Sequence, residues 1–253
     1  MKLDTLIFAA HPDDAELGMG GTIAKMTSEN LKVGIIDLTK GEMGTRGTVE
    51  TRQTEAFKAA SILKLTVREN LHVKDGEISD TKDNLMKIII SIRKYRPRFI
   101  FAPYFNDRHP DHVALSALVK KAYFLSGLAK IKTFEKDTAQ ESFRPSRLFY
   151  YMQTYAFDPN YIVDISATFE TKMKSVNAYS SQFYNPDSKE PETFISQPRF
   201  FGYIEARARV YGFQIGKDFG EPFFCEEALP FDIISALSEP EHTNQKREEP
   251  KLL

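Results

Sequence analysis

Three of the five histidines in this 253-residue chain, His11, His109 and His112, fall in two short words: His-Pro-Asp-Asp at 11–14 and His-Pro-Asp-His at 109–112. Together the words hold imidazoles and carboxylates, a donor set that suits zinc when three protein groups bind and one position stays open. Two histidines and a carboxylate also describe the non-haem iron triad, so an iron oxygenase is the rival chemistry and Fe2+ or another divalent metal the alternative cofactor. An open position points to hydrolysis, in which the metal acidifies water and a neighbouring carboxylate takes the proton. Residue types alone leave open whether Asp13 or Asp14 is the ligand, the other then facing substrate. The remaining histidines read as a strand or pocket-rim residue, His72, and a tail residue, His242.

Both words follow apolar runs that read as strands, Leu3–Ala10 and Arg98–Ala102, with further runs at Val33–Leu38 and Asn70–Val73. Between them Gly20–Asn30 is helix-compatible, and Ala56, Ala59, Ala60 and Leu63, then Leu85, Ile88, Ile89 and Ile92, recur at helical spacing. Such strand-helix repeats demand parallel pairing and right-handed crossovers. The expected fold is therefore α/β: a Rossmann-like open, mostly parallel sheet with helices on both faces. In the commonest doubly wound order the first and fourth strands are neighbours at the switch point, which brings the two words into one crevice. Pro110 suits the first position of a helix running from Asp111 to about Ser126, holding His112 in its first turn. Pro12 pushes His11 toward an extended conformation at the strand end.

Strands at Leu148–Met152 and Tyr161–Asp164 and a helix over Ala167–Tyr179 are expected to extend the same sheet. Residues 184–198, rich in Pro, Ser, Asp and Glu, read as a long loop bordering a pocket. Residues 1–237 read as one domain and 238–253 as a charged, disordered tail.

Composition removes several alternatives. With 34 Lys and Arg against 35 Asp and Glu, no global field favours nucleic acid or an anionic membrane. The one cysteine, Cys225, cannot form an internal disulfide. With no signal-peptide pattern and no bilayer-length apolar run, the expected location is the cytoplasm, with no membrane partner. Gly18, Gly20 and Gly21 follow the first strand as a dinucleotide-binding turn would, but their spacing is wrong and Asp13, Asp14 and Glu16 would repel a pyrophosphate. They read instead as room for a helix to pack closely.

At Ala-His-Pro-Asp-Asp and His-Pro-Asp-His, and over Glu16–Thr22, Leu38–Arg46, Thr51–Ala60 and Asp107–His112, the sequence resembles the LmbE-like or PIG-L family of zinc-dependent N-acetylglucosaminyl deacetylases. Val163–Phe183 and Gly202–Phe224 look like its bacillithiol-biosynthesis branch, whereas 184–199 and the tail depart from it. The resemblance implies hydrolytic N-deacetylation of N-acetylglucosaminyl malate. A chitooligosaccharide or inositol-linked sugar is the alternative substrate, and a non-catalytic zinc-containing sugar-binding module the alternative role. It also implies zinc ligands His11, Asp14 and His112, general base Asp13, and a transition-state-stabilising, protonated His109 with Asp111 beside it. Arg52 and Arg108 are implied to contact substrate, and the protein to be a homo-oligomer, up to a hexamer. For a substrate with two carboxylates the cationic partners would come from Arg46, Arg52, Arg108 and Arg199.

Overall fold

The computed structural model describes residues 1–230, so His242 and the tail expected over 238–253 lie outside the described residues. Nine strands and six helices alternate along these residues. They are β1 (Thr5–Ala9), α1 (Asp14–Ser28), β2 (Val33–Asp37), α2 (Val49–Ile62), β3 (Val67–Asn70), α3 (Lys82–Tyr95), β4 (Phe99–Pro103) and α4 (Pro110–Leu125). There follow β5 (Phe134–Glu135), β6 (Thr138–Ala139), β7 (Arg147–Tyr151), β8 (Tyr161–Asp164), α5 (Phe169–Asn177), α6 (Arg199–Gln214) and β9 (Gly220–Phe224). Seven strands form one sheet in the order β3-β2-β1-β4-β7-β9-β8, and β5 pairs with β6 apart from it. The first five of the seven are parallel, while β9 runs antiparallel to both its neighbours.

Alternation along the strands divides the core by sheet face. Leu6 and Phe8 of β1, with Ile100 of β4, pack against Leu85, Ile88, Ile89 and Ile92 of α3 and Leu115, Leu118 and Val119 of α4. Ile7 and Ala9, with Ile35 and Phe101, face Ala15, Met19 and Ile23 of α1. Each fully buried aliphatic side chain contributes about 1.5–3 kcal/mol by leaving water. A third cluster joins α1, α2, α5 and α6 through Leu17, Ala56, Ala59, Val176, Phe200 and Ile204.

Three expectations need correction. The third strand is Val67–Asn70 rather than Asn70–Val73. Its polar residues are tolerated because β3 is an edge strand and Arg68 pairs with Glu16 and Asp37, whereas Leu71 and Val73 belong to the following loop, packed on the core. The first helix begins at Asp14 rather than Gly20, with a break at Met19, where φ is −148° and ψ 24°. Glu221 of β9 accepts hydrogen bonds from the Gly21 and Thr22 N–H groups and from Lys172 Nζ, satisfying donors the break exposes. The third correction is an omission: α6 and β9 were not read from the sequence, although Phe200, Ile204, Ala208 and Tyr211 form a buried stripe at helical spacing.

The glycine-rich segment behaves as close packing requires. A Cβ on Gly21 would stand 2.7 Å from Ile165 Cδ1, and one on Gly18 would run into the Tyr151 ring.

Candidate active site

The two histidine words stand at the carboxyl ends of β1 and β4, which are hydrogen-bonded neighbours, as the switch-point argument requires. After β1 the chain turns sharply through Asp13, whose φ of 116° and ψ of −27° are unusual for a residue with a side chain. Such a conformation costs about 1–3 kcal/mol and persists because its surroundings hold it. Here Arg52 does so: Nη2 donates to Pro12 O at 2.6 Å and to Asp13 Oδ2 at 3.2 Å, and Nη1 donates to Gly41 O at 3.2 Å. After β4, His109 caps α4 by accepting the Asp111 N–H at Nδ1, and Pro110 occupies the first turn.

Asp14 offers one oxygen to each of two histidines, with Oδ2 3.4 Å from His11 Nδ1 and Oδ1 3.1 Å from His112 Nε2. The far nitrogen of each histidine meets other carboxylates. His11 Nε2 is 3.0 Å from Asp75 Oδ1 and 3.4 Å from Asp111 Oδ2, and His112 Nδ1 is 2.9 Å from Asp107 Oδ1. This is the carboxylate–histidine arrangement that orients and strengthens metal ligands. Asp14 thus lies between the two imidazoles with a different oxygen toward each, and imidazole and carboxylate are usual zinc donors. Among the described residues the sets of three candidate donors that lie within 4.8 Å of one another are His11, His109 and His112, and His11, Asp75 and Asp111; Asp14, the carboxylate expected to bind metal, is in neither set. Because His109 Nδ1 already accepts a hydrogen bond, His109 retains only Nε2 for the crevice.

The field in the crevice favours positive charge. Burial alone would lower the His112 pKa, but Asp14 and Asp107 outweigh it and raise it to about 9. His11 likewise overcomes its burial through Asp111, Asp14 and Asp75 and is raised well above the usual range. Asp75 and Asp107 would be raised by burial, yet the hydrogen bonds from His11 and His112 bring each down to about 2. A divalent cation here would displace the protons that His11 and His112 share with Asp14, so its affinity would fall as pH falls. Burial acts the other way on Asp13, raising its carboxyl to about 7 against the pull of Arg52. Burial, followed by the charges of His11 and His112, lowers His109 below the usual imidazole range.

The cluster opens into a cavity of about 530 Å³. His11, Asp13, Asp14, His109 and His112 line one end, and Phe194, Phe200 and Tyr203 line another part of the wall. The 184–198 segment is the loop expected from composition and borders this cavity through Thr193, Phe194 and Ile195.

The arginines divide. Arg52 lines the cavity, but its guanidinium is largely taken up by the Asp13 turn. Arg108 lines it and is exposed, stacked on Phe194. Arg46 is buried beside Glu190, and neither Arg46 nor Arg199 lines the cavity. Arg207, which sequence reading passed over, does line it and donates to Gln153 O and Leu17 O. Asp75 and Asp107 were also passed over; their place just beyond β3 and β4 was the available signal. The Asp111 carboxylate is turned to the Gly76 N–H and His11 rather than to His109, which meets only its backbone N–H. His72 lines a smaller cavity together with Asn70 and Phe57.

The family described as PIG-L, GlcNAc-PI de-N-acetylase, matches residues 6–123. A diacetylchitobiose deacetylase from Thermococcus kodakarensis is 32% identical over 190 residues, covering 70% of this chain and 69% of the relative. Among solved structures, the conserved protein TT1542 from Thermus thermophilus shares 39% identity at a TM-score of 0.81, covering 91% of this chain and 98% of that one. The N,N'-diacetylchitobiose deacetylase from Pyrococcus horikoshii, solved with its inhibitor MPG, shares 27% identity at a TM-score of 0.75, covering 91% of this chain and 88% of that one. With both histidine words inside the matched segment and a deacetylase relative 32% identical over 69% of its length, the chain belongs to the PIG-L/LmbE-like deacetylase family.

Proposed function

We propose that the protein hydrolyses the acetamide of an N-acetylglucosamine conjugate, releasing acetate and the free amine. The observation that carries this reading is Asp14 shared between His11 and His112 with Asp13 beside it at the cavity wall. His11, Asp14 and His112 would hold a divalent metal, zinc by the donor set. Bound there, it would supply Lewis acidity and make water acidic enough to react near neutral pH.

The remaining work falls to the chain. Asp13, held by Arg52, takes the proton of the attacking water and passes it to the departing amine. With His109 Nδ1 accepting from Asp111, the neutral imidazole carries its proton on Nε2 and can donate it to oxygen charge developing on the carbonyl. A neutral donor replaces the protonated His109 expected from the sequence, because Nδ1 accepts the Asp111 N–H and so carries no second proton. Asp75, Asp107 and Asp111 keep His11 and His112 in orientation.

The substrate of first choice is N-acetylglucosaminyl malate in bacillithiol biosynthesis. It is supported by the likeness of the C-terminal half to that branch and by Arg108, which lines the cavity without an ion pair among the described residues. A chitooligosaccharide is the second reading, favoured by the identity to a diacetylchitobiose deacetylase over 69% of that protein. Cytoplasmic location and assembly of like chains belong to the same proposal. They are supported by the unpaired Cys225 and the family likeness. No helix among the described residues is long and apolar enough to cross a membrane.

The test is release of free amine from N-acetylglucosaminyl malate and diacetylchitobiose, after chelation and after zinc is restored. Zinc-restored turnover preferring the malate conjugate supports the first choice, and a preference for the chitobiose moves the protein to the second. With zinc bound and neither substrate turned over, the proposal fails.

A further inference from the structure

Phe194 is a large apolar side chain left 52% exposed on a segment that departs from the family's pattern. Its position is nevertheless built. Thr193 N–H donates to Ser196 Oγ at 2.8 Å, Ser196 N–H donates to Thr193 Oγ1 at 3.2 Å, and Ser196 Oγ donates to Thr193 O at 3.3 Å. This reciprocal turn has Phe194 and Ile195 as its two central residues. Ile195 packs onto the cluster beneath α6, and Ser196 is buried. Phe194 is thus presented to the cavity by a turn whose other members are anchored.

The ring is also backed from two sides. Phe200 meets it at 5.8 Å with the planes at 69°, and the Arg108 guanidinium carbon lies 4.7 Å from its centroid. Tyr203, which also lines the cavity, stands 6.2 Å from Phe200 and continues the aromatic surface. Arg108 precedes His109, so this aromatic wall is tied to the reacting end of the pocket through one peptide unit.

We infer that Phe194 is a specificity-determining residue whose ring receives the apolar C–H face of the pyranose undergoing deacetylation. This deepens the deacetylase proposal and rests on it. A gluco-configured ring, with its substituents equatorial, presents axial C–H groups on both faces. Such a face can lie on an aromatic ring while the hydroxyls stay hydrated at the rim. Such a contact adds binding of the sugar in ground and transition state alike, and a hydrogen-bonded turn supplies it at little cost in order on binding.

The chain contains no tryptophan, so Phe194→Trp installs a single fluorophore at the proposed contact. Its emission is expected to shift and saturate with N-acetylglucosamine or its conjugate. A control fluorophore from Phe213→Trp, 85% exposed and off the cavity lining, is expected to stay constant. In turnover, Phe194→Ala is expected to raise KM about tenfold with kcat nearly unchanged. Phe194→Tyr is expected to restore KM, and all variants to melt as the parent does. An unmoved Phe194→Trp signal at sugar concentrations that saturate turnover, or an unchanged KM in folded Phe194→Ala, overturns the assignment. If the parent protein turns over no acetylated sugar, the deacetylase reading falls separately. The fluorescence titration then decides the sugar contact by itself: saturation supports it and a flat response removes it.

Discussion

The two ends of the cavity are built by different means. At the reacting end the groups lie in the segments that follow β1 and β4, and several are held more than once: Asp14 by two histidines, Asp107 by His112 and by the N–H groups of His109, Thr154 and Tyr155. The 184–198 loop is joined to the preceding part of the chain by fewer contacts, notably Glu190 accepting the Gly47 N–H at 2.8 Å with Arg46 at 3.7 Å. Chemistry needs positions kept within fractions of an ångström, which rigid elements and redundant bonds supply. Recognition tolerates looser walls, and a wall carried by a loop can change without disturbing the sheet. On this contrast, substitutions at the reacting end should change metal content and kcat, and substitutions in the loop should change KM alone.

The largest effects separate ligand from base. His112→Ala should abolish both activity and bound zinc, read by elemental analysis of the purified protein. Asp13→Asn should keep stoichiometric zinc while losing about 10²–10⁴-fold in kcat. Zinc loss in Asp13→Asn, or zinc retention in His112→Ala, would reverse the two roles. Next comes Asp107→Asn, which leaves every ligand in place and removes a carboxylate behind His112. It should weaken zinc binding about 10–100-fold in a chelator competition, and unchanged affinity would mean that Asp107 only shapes the loop. Smallest is Glu190→Ala, which loosens the tie between the 184–198 loop and Gly47. The loss of one hydrogen bond predicts a KM rise of about two- to tenfold with kcat and zinc content unaltered. A fall in kcat of the same size would show that the loop reaches into the chemistry and would break the contrast between the two ends.

The redundancy at the reacting end also explains why it was legible in one dimension. His11, Asp13, Asp14, His109 and His112 lie in two words of four residues, each tied to its strand by sequence proximity. The parallel order of the first strands followed from the lengths of the helical crossovers between them. The adjacency of β1 and β4 then had one common solution, and the sheet adopts it. Asp75 and Asp107 were harder to see because a lone aspartate beyond a strand is the commonest of turn residues. Nothing short of the folded crevice distinguishes one that meets His11 or His112. Arg52 shows the same limit from the other side, since an arginine on a helix reads as free, and only packing reveals its guanidinium closed onto Pro12, Asp13 and Gly41.

What the sequence determined by itself was therefore whatever local spacing controls: the strand-helix alternation, the donor words at two strand ends, and the polar loop over 184–198. What only the tertiary structure decided was which side chains from distant segments share one space. Those are the carboxylates behind each histidine, the burial that pushes His109 below the usual imidazole range, and the turn that holds Phe194 against Arg108 and Phe200. The physical reason is that burial and charge-charge interaction depend on through-space distance. Along the chain, residues such as His11 and Asp75 are 64 positions apart, and the pattern of neither one records the other.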